Sequence, residues 1–332
     1  MVIKTGFDIG SGAVKIFVGD VEGDRIKVLF EKQIEVLVRH EVECSPDHSI
    51  SHKKLLDIQA AIEQLTNEGQ EKFDNQLGNF IGVATAVYRE ATNGKEIIQQ
   101  LVELVKFPIV IVSQRIEGYL GYMTAVQAGG AFFPEINPSN IIAWDSGAAS
   151  FQITTMEGHA NVYNLQIYEG PLGSSKITAM MINKIQNKNF NITKSVNPAT
   201  IEECKAFYEH TKEFLRNQNN YEESVAWLKP KSQEASVVAI GGNTSAFAGV
   251  LQTKGLHVFT IDDVWDAVHG LVGKSDKDLE KYPQPEMLIP KLILVIVVME
   301  ILNFPRVHFA PSTGCTGLLF FNENTLPSLR MS

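Results

Sequence analysis

Cysteine is scarce in this chain: Cys44, Cys204 and Cys315 are scattered over 332 positions, with no CxxC spacing and no neighbouring His pair. An odd, dispersed set excludes a disulfide framework and the usual zinc modules, leaving ordinary thiols. Long apolar runs are missing too. The longest, Leu292 to Met299, falls well short of the roughly 20 residues that span a bilayer, so it reads as a buried helix and no membrane partner is expected. Positive charge is in deficit: 29 Lys and Arg against 38 Asp and Glu give a formal net charge of −9. With no basic cluster interleaved with aromatics, that balance repels a long polyanion, and nucleic acid is not an expected partner.

Other motifs are absent as well. The opening Met-Val-Ile-Lys-Thr-Gly lacks the basic stretch, apolar core and cleavage site of a signal peptide, so the expected location is cytoplasmic. No Gly-Lys-Ser/Thr stands four residues after a Gly, which excludes a Walker loop. The eight histidines form no HxxxH or Ser-His-Asp arrangement and are assigned no role. What remains is a globular composition, 44% hydrophobic and 20% charged, on a chain long enough for two domains with separate cores.

Hydrophobic periodicity supplies the elements. Phe7 and Ile9 mark a strand, and Val14, Ile16 and Val18 alternate as a half-buried strand before a Glu22-Gly23-Asp24 turn. Leu55, Ile58, Ile62 and Leu65 have helical spacing, followed by a strand at 80–83, a helix at 95–105 and, after Pro108, a strand at 109–112. A helix is expected over 115–127, and Gly129-Gly130 to Pro138 reads as a connection. Further on come the helix 201–215, the strand 237–240 and the apolar helix 290–302, while the polar stretch 183–195 reads as a loop or a fraying helix end. The boundary in the connection gives domains 1–128 and 138–332, with the C-terminal segment free to pack back on the first.

The second half begins as the first does. Asp145-Ser146-Gly147-Ala148-Ala149-Ser150 repeats Asp8-Ile9-Gly10-Ser11-Gly12-Ala13 at an offset of 137, and Glu157-Gly158-His159 answers Glu22-Gly23. Gly10-Ser11-Gly12 is not a dinucleotide fingerprint, because the residues after it alternate as a strand instead of opening a helix. Its small side chains leave backbone N–H groups able to converge on phosphoryl oxygens. The turns at Gly10–Ala13, Gly147–Ala149 and Gly241-Gly242-Asn243-Thr244 each follow an apolar strand, so all three are candidate phosphate cradles. Asp8 and Asp145 stand just before two of them, either to hold a divalent cation beside bound phosphate or to accept hydrogen bonds from their own turns.

Several segments resemble the exopolyphosphatase and guanosine pentaphosphate phosphohydrolase (Ppx/GppA) family. Asp8-Ile9-Gly10-Ser11 is similar to its first turn, with Gly12 and Ala13 in place of Asn-Ser. Residues Ala84-Thr85-Ala86-Val87-Tyr88-Arg89-Glu90-Ala91-Thr92-Asn93 follow its Ala-Thr-Ser-Ala-Leu-Arg-Glu-Ala-x-Asn signature almost residue for residue. Ser113 to Leu120, with Glu117, resembles its Ser-Gly-x-Glu-Glu-Ala-x-Leu segment, and Asp145 to Gln152 stands where it has Asp-Ile-Gly-Gly-Gly-Ser-Thr-Glu. Ala148, Ala149 and Gln152 are departures, as is Thr313-Gly314-Cys315-Thr316-Gly317, which lacks the family's Arg. Gly173 resembles the glycine that follows the second hairpin.

The resemblance implies an α/β fold of two ribonuclease-H-like (actin-like) domains facing a central cleft, in the short form without the HD-like C-terminal extension. It implies a phosphohydrolase that releases terminal phosphate from inorganic polyphosphate or guanosine pentaphosphate, with Mg2+ at Asp8 and Asp145. Gly10, Ser11, Gly12, Ala13, Gly147, Ala148, Ala149, Gly241, Gly242 and Asn243 would hold phosphate. Arg89 would neutralise phosphate oxygens or form a surface or inter-helix ion pair, Glu117 would be the general base or a solvated helix residue, and Lys15 would reach phosphate or solvent. Arg115 and Lys176 are weaker candidates of the same kind. Partners are then polyphosphate or guanosine tetra/pentaphosphate and a second copy of the chain as a homodimer. The Gln152, Ala148 and Ala149 departures keep open a regulatory binding protein with little turnover. A sugar or acetate-type kinase is disfavoured, since nothing marks an adenosine pocket.

Overall fold

The structure is a computed structural model, and it describes residues 2–23, 25–73, 77–156, 164–312 and 315–329. The chain divides into two compact units, Met1–Gln127 with Thr313–Ser332, and Ala128–Ser312. Each is a mixed α/β lobe with its own sheet.

In the first unit, β1 (Val2–Ile9), β2 (Ala13–Glu22) and β3 (Arg25–Glu35) form an antiparallel meander. The helices α1 (Val38–Cys44) and α2 (His52–Lys72) then lead to β4 (Phe80–Ala84), which lies parallel to β1. The short α3 (Ala86–Glu90) and α4 (Gly94–Val105) precede β5 (Ile109–Ile111), parallel to β4, and α5 (Gln114–Phe132) follows. The sheet order is β3-β2-β1-β4-β5.

The alternation of Val14, Ile16 and Val18 predicts one buried face, and these residues do pack with Leu55, Ile58, Ile62 and Leu65 of α2. The opposite face is covered as well. Phe17, Ile81, Val83 and Val110 pack with Leu318 and Leu319 of the 3-10 turn Thr316–Phe320. A strand covered on both sides loses the exposed half of its alternation, and Phe17 is accordingly fully buried.

The second unit repeats the plan. Strands β6 (Ile141–Ser146), β7 (Phe151–Met156) and β8 (Leu165–Gly170) are antiparallel. Helix α6 (Ser174–Met180) runs on as a π-turn, Met181–Ile185, followed by α7 (Ile201–Arg216) and α8 (Tyr221–Lys231). Then come β9 (Ser236–Gly241), α9 (Ala246–Lys254), β10 (Val258–Phe259), α10 (Ile261–Leu271), α11 (Pro285–Ile301) and β11 (Val307–Pro311). The order β8-β7-β6-β9-β11-β10 matches that of the first sheet with one strand added, and β9 is parallel to both β6 and β11.

Two expectations are corrected. The Gly129-Gly130 stretch, read as the start of a connection, belongs to α5, which continues to Phe132. A glycine costs a helix about 1 kcal/mol relative to Ala, but a Cβ at Gly129 would already touch Val238 at 3.4 Å, so its absence brings helix and strand together. The apolar helix begins at Pro285, not Pro290. Pro290 has no N–H to give to the Glu286 carbonyl four residues back, and the Val196 N–H bonds that carbonyl instead at 3.4 Å. Helix α11 is apolar on all sides because it packs against α6, α7, α9 and α10. No helix among the described residues is long and apolar enough to cross a membrane. The expected turns at Glu157-Gly158-His159 and Thr313-Gly314, and Asp24, lie outside the described residues.

Candidate functional site

In parallel strands the carboxyl ends lie together, and that end of an open α/β sheet is where ligands bind. In the first unit the registers Ile9↔Ala84 and Ala84↔Ile111 align the ends of β1, β4 and β5. They bring to one edge the Gly10–Ala13 turn, the Thr85–Glu90 segment and the start of α5 with Glu117. From Gly10 to Glu117 these candidates are separated by up to 107 positions in sequence.

The first turn is closed by the Gly10 N–H on the Ala13 carbonyl, 2.9 Å. The Ser11 carbonyl accepts from the Arg39 N–H (2.9 Å), and the Gly12 carbonyl from the N–H groups of Val36 (2.9 Å) and Leu37 (3.0 Å). A trans peptide directs its C=O and N–H to opposite sides, so tying these two carbonyls to the β3–α1 connection turns the N–H groups of Gly12 and Ala13 the other way. Asp8, just before the turn, is 5% exposed. It faces Lys15 across the β1–β2 pair, and Lys15 Nζ lies 3.0 Å from Asp8 Oδ2. Lys15 is thus spent on the Asp8 carboxylate, with part of its side chain still reached by solvent.

The other oxygen, Asp8 Oδ1, is buried and has no hydrogen-bond partner among the described residues. A buried acceptor left unpaired is costly, and one anionic oxygen of this kind fits a hydrated divalent cation. The Tyr88 hydroxyl, also buried without a hydrogen-bond partner among the described residues, has its pKa raised by burial and then by the charge of Asp8. No group of three or more His, Cys, Asp or Glu able to hold a metal by side chains alone occurs among the described residues. Any ion at Asp8 would keep much of its water shell.

Arg89 and Glu117 are brought together as an ion pair between α3 and α5, with Arg89 Nη1 2.5 Å from Glu117 Oε2 and 2.7 Å from the Val112 carbonyl. Both side chains are largely buried. Glu117 is thus not a solvated helix residue, and Arg89 pairs with it across the two helices. Asn93, at the end of the same motif, clamps Ile50: its Oδ1 accepts from the Ile50 N–H and its Nδ2 donates to the Ile50 carbonyl, both 2.8 Å. Arg115 is exposed.

The second unit gathers its candidates in the same way, through the registers Asp145↔Ile240 and Ile240↔Ala310. The Gly147 N–H closes the second turn on the Ser150 carbonyl, again 2.9 Å. The carbonyls of Gly147 and Ala148 accept from the N–H groups of Ser174 (3.0 Å) and Ser175 (2.9 Å), which turns the N–H groups of Ala148 and Ala149 away from α6. Gly173 is needed here, because a Cβ would lie 2.5 Å from Gly147 O, Ala148 C and Ala149 N. Gln152, opposite Asp145, is buried and donates to Ser150 Oγ at 3.2 Å.

The third turn follows β9. The Gly242 carbonyl accepts from the Ser245 N–H (3.0 Å), the Asn243 carbonyl from Gln252 Nε2 (2.8 Å) and the Thr244 carbonyl from Lys291 Nζ (2.9 Å). Lys291 is 1% exposed and also donates to Gln284 Oε1 at 2.7 Å. Neither it nor Arg39, another buried cation, stands out in sequence beyond being a cation beside apolar neighbours. Cys204 is a buried thiol pushed up to about 12 by burial, ahead of the charges of Glu203 and Glu202, and is unreactive.

These observations define a mixed α/β protein with two sheet-containing lobes, each presenting glycine-rich turns at the carboxyl ends of parallel strands. Solved structures share that architecture. The chain is similar over 98% of its length, and 99% of the other's, to an exopolyphosphatase-like protein (12% identity, TM-score 0.72). An exopolyphosphatase from Cytophaga hutchinsonii matches over 99% of both chains (12%, 0.68). The Aquifex aeolicus member of the Ppx/GppA protein family matches over 100% of both (14%, 0.67). The fold is therefore of the Ppx/GppA architecture. No family model matches the chain. A bifunctional 3-dehydroquinate synthase/phosphatase of Fusobacterium nucleatum is 24% identical over 200 residues, 57% of this chain. The chain spans only 27% of that relative's length.

Proposed function

We propose that the protein is a phosphohydrolase that releases terminal phosphate from inorganic polyphosphate or guanosine pentaphosphate, built on two ribonuclease-H-like units of the actin-like kind. The observation that carries this reading is the duplicated turn. Gly10 to Ala13 and Gly147 to Ser150 close with the same 2.9 Å hydrogen bond at an offset of 137, each two residues after a strand-end aspartate. Phosphoryl transfer depends mainly on positioning and charge stabilisation, and N–H groups held by fixed carbonyls are pre-positioned donors.

In this reading Gly10, Ser11, Gly12, Ala13, Gly147, Ala148, Ala149, Gly241, Gly242 and Asn243 bind phosphate through backbone N–H groups. Arg89 binds equatorial oxygens with its planar fork. A phosphate reaching Arg89 competes with Glu117 for the guanidinium, and the freed carboxylate accepts the proton of the attacking water. Lys15 pairs with Asp8 Oδ2. Asp8 through Oδ1, and Asp145, would hold Mg2+, which when bound supplies neutralising charge beside the phosphate oxygens. The reading extends to a cytoplasmic homodimer.

The test is phosphate release from polyphosphate and from guanosine pentaphosphate with magnesium, comparing the wild type with Glu117→Gln. Turnover by the wild type and a loss of about 100-fold or more in the variant are expected for a general base. The second reading, a polyphosphate or guanosine tetra/pentaphosphate binding protein with little turnover, is favoured by Gln152, an amide opposite Asp145. Ligand binding by the wild type with no phosphate release selects it.

A further inference from the structure

Arg39 lies outside every motif discussed so far, yet it is fastened to the first turn. Its N–H donates to the Ser11 carbonyl at 2.9 Å, and the residues before it, Val36 and Leu37, bond Gly12. The side chain is buried, the residue being 5% exposed, and its Nη1 pairs with Glu90, the residue after Arg89. Arg39 therefore links the first turn, through its backbone, to the Thr85–Glu90 segment, through its side chain, at the carboxyl edge of the sheet.

Its remaining donors are informative. Nε and Nη2 are both buried and find no hydrogen-bond partner among the described residues. Glu43 Oε1 lies 4.0 Å from Nε, beyond hydrogen-bond reach. Nε and Nη2 form one edge of the guanidinium, with parallel N–H bonds that match two oxygens of a phosphate or carboxylate. A buried charge with unmet donors is costly. An arginine serving only to tie Glu43 and Glu90 would spend this edge on one of them.

The geometry assigns the Nε/Nη2 edge of Arg39 as a bidentate anion-binding group that takes two oxygens of a phosphate at the sheet edge next to the first turn, beside Glu90. The half-exposed Glu43 side chain swings aside to admit it. The assignment rests on the phosphate reading of that turn and adds to it a residue and a binding mode. A lysine could supply the charge but not the fork.

The experiment is calorimetric titration of the full chain with inorganic tripolyphosphate, for wild type, Arg39→Lys and Glu43→Gln. Arg39→Lys is expected to bind about tenfold more weakly although net charge is unchanged. Glu43→Gln, which removes the competing carboxylate, is expected to bind at least about twofold more tightly. Glu41→Gln controls for net charge on the same helix, since the Glu41 carboxylate accepts from the Ser51 N–H at 2.8 Å. Wild-type binding that Arg39→Lys leaves unchanged overturns the assignment and leaves the phosphate reading standing, whereas no binding by the wild type overturns both. If Arg39→Lys does not fold, the Glu43 and Glu41 variants decide: equal effects of the two overturn the assignment.

Discussion

The two turns share a backbone and differ in what surrounds it. Each closes with the same hydrogen bond and has two carbonyls tied down, but different partners tie them. In the first unit the connection after β3 holds the turn, and Lys15 stands on Asp8. In the second, the start of α6 holds it, Gly173 presses against it, and the residue opposite Asp145 is the neutral Gln152. The duplicated feature is the donor geometry, which any small side chains can supply. Charge has not been duplicated: Arg39, Arg89 and Lys15 cluster in the first unit, while Lys291 lies beneath the third turn of the second. The first lobe thus surrounds its turn with ion-paired cations, and the second surrounds its own with neutral groups.

The contrast is broken most forcefully at Gly173. Replacing it with Ala puts a methyl 2.5 Å from three backbone atoms of the second turn, and backbone cannot give way as a flexible side chain can. We expect Gly173→Ala to destabilise the protein by about 3 kcal/mol. Gly10→Ala, whose nearest obstacle is the Ala13 carbonyl at 3.1 Å, should cost about 1 kcal/mol. Urea denaturation of both variants measures the difference. Equal losses would mean that the second turn is no more tightly braced than the first.

Much of this was legible in the sequence, for reasons particular residues make plain. Aspartate before a small-residue turn at the end of an apolar run is a local signal, so the repeat at Asp8 and Asp145 could be read without tertiary knowledge. Arg89 and Glu117 could be named because their segments resemble known ones, but their ion pair could not, since it depends on the register of β4 and β5. Arg39 and Lys291 were illegible. A lone cation looks like a surface residue until the elements that bury it are in place. The continuation of α5 through Gly129-Gly130 was hidden likewise, because the packing on Val238 that offsets the glycine cost is tertiary.

A second, smaller effect is expected at Lys15. Asp8 has one unpaired buried oxygen already, and Lys15→Met would strip the other of its ammonium. Lys15 is itself about a quarter exposed, with 24% of its side chain accessible, so water relieves part of the loss. We expect about 2 kcal/mol of destabilisation, read as a shift of the urea midpoint at unchanged slope. Addition of Mg2+ should recover part of it if Asp8 Oδ1 takes a cation, since ligands that bind only the folded state stabilise it. The same addition to the wild type, where Lys15 competes, should move the midpoint less.

The smallest effect sharpens the comparison from the other side. Gln152→Lys places an ammonium opposite Asp145, reproducing the Asp8 and Lys15 pair in the second unit. If the two turns differed only in this residue, the variant would gain a salt bridge. Two observations argue against a gain: Gln152 is 3% exposed, far less than the position of Lys15, and Asp145 is already engaged with neighbours. Burying a charge whose counter-charge is shared costs more than the Coulomb attraction returns, so Gln152→Lys should destabilise by about 1 kcal/mol. A stabilised variant would show that the second turn can accept the charge of the first, and that the neutral residue there is not imposed by packing.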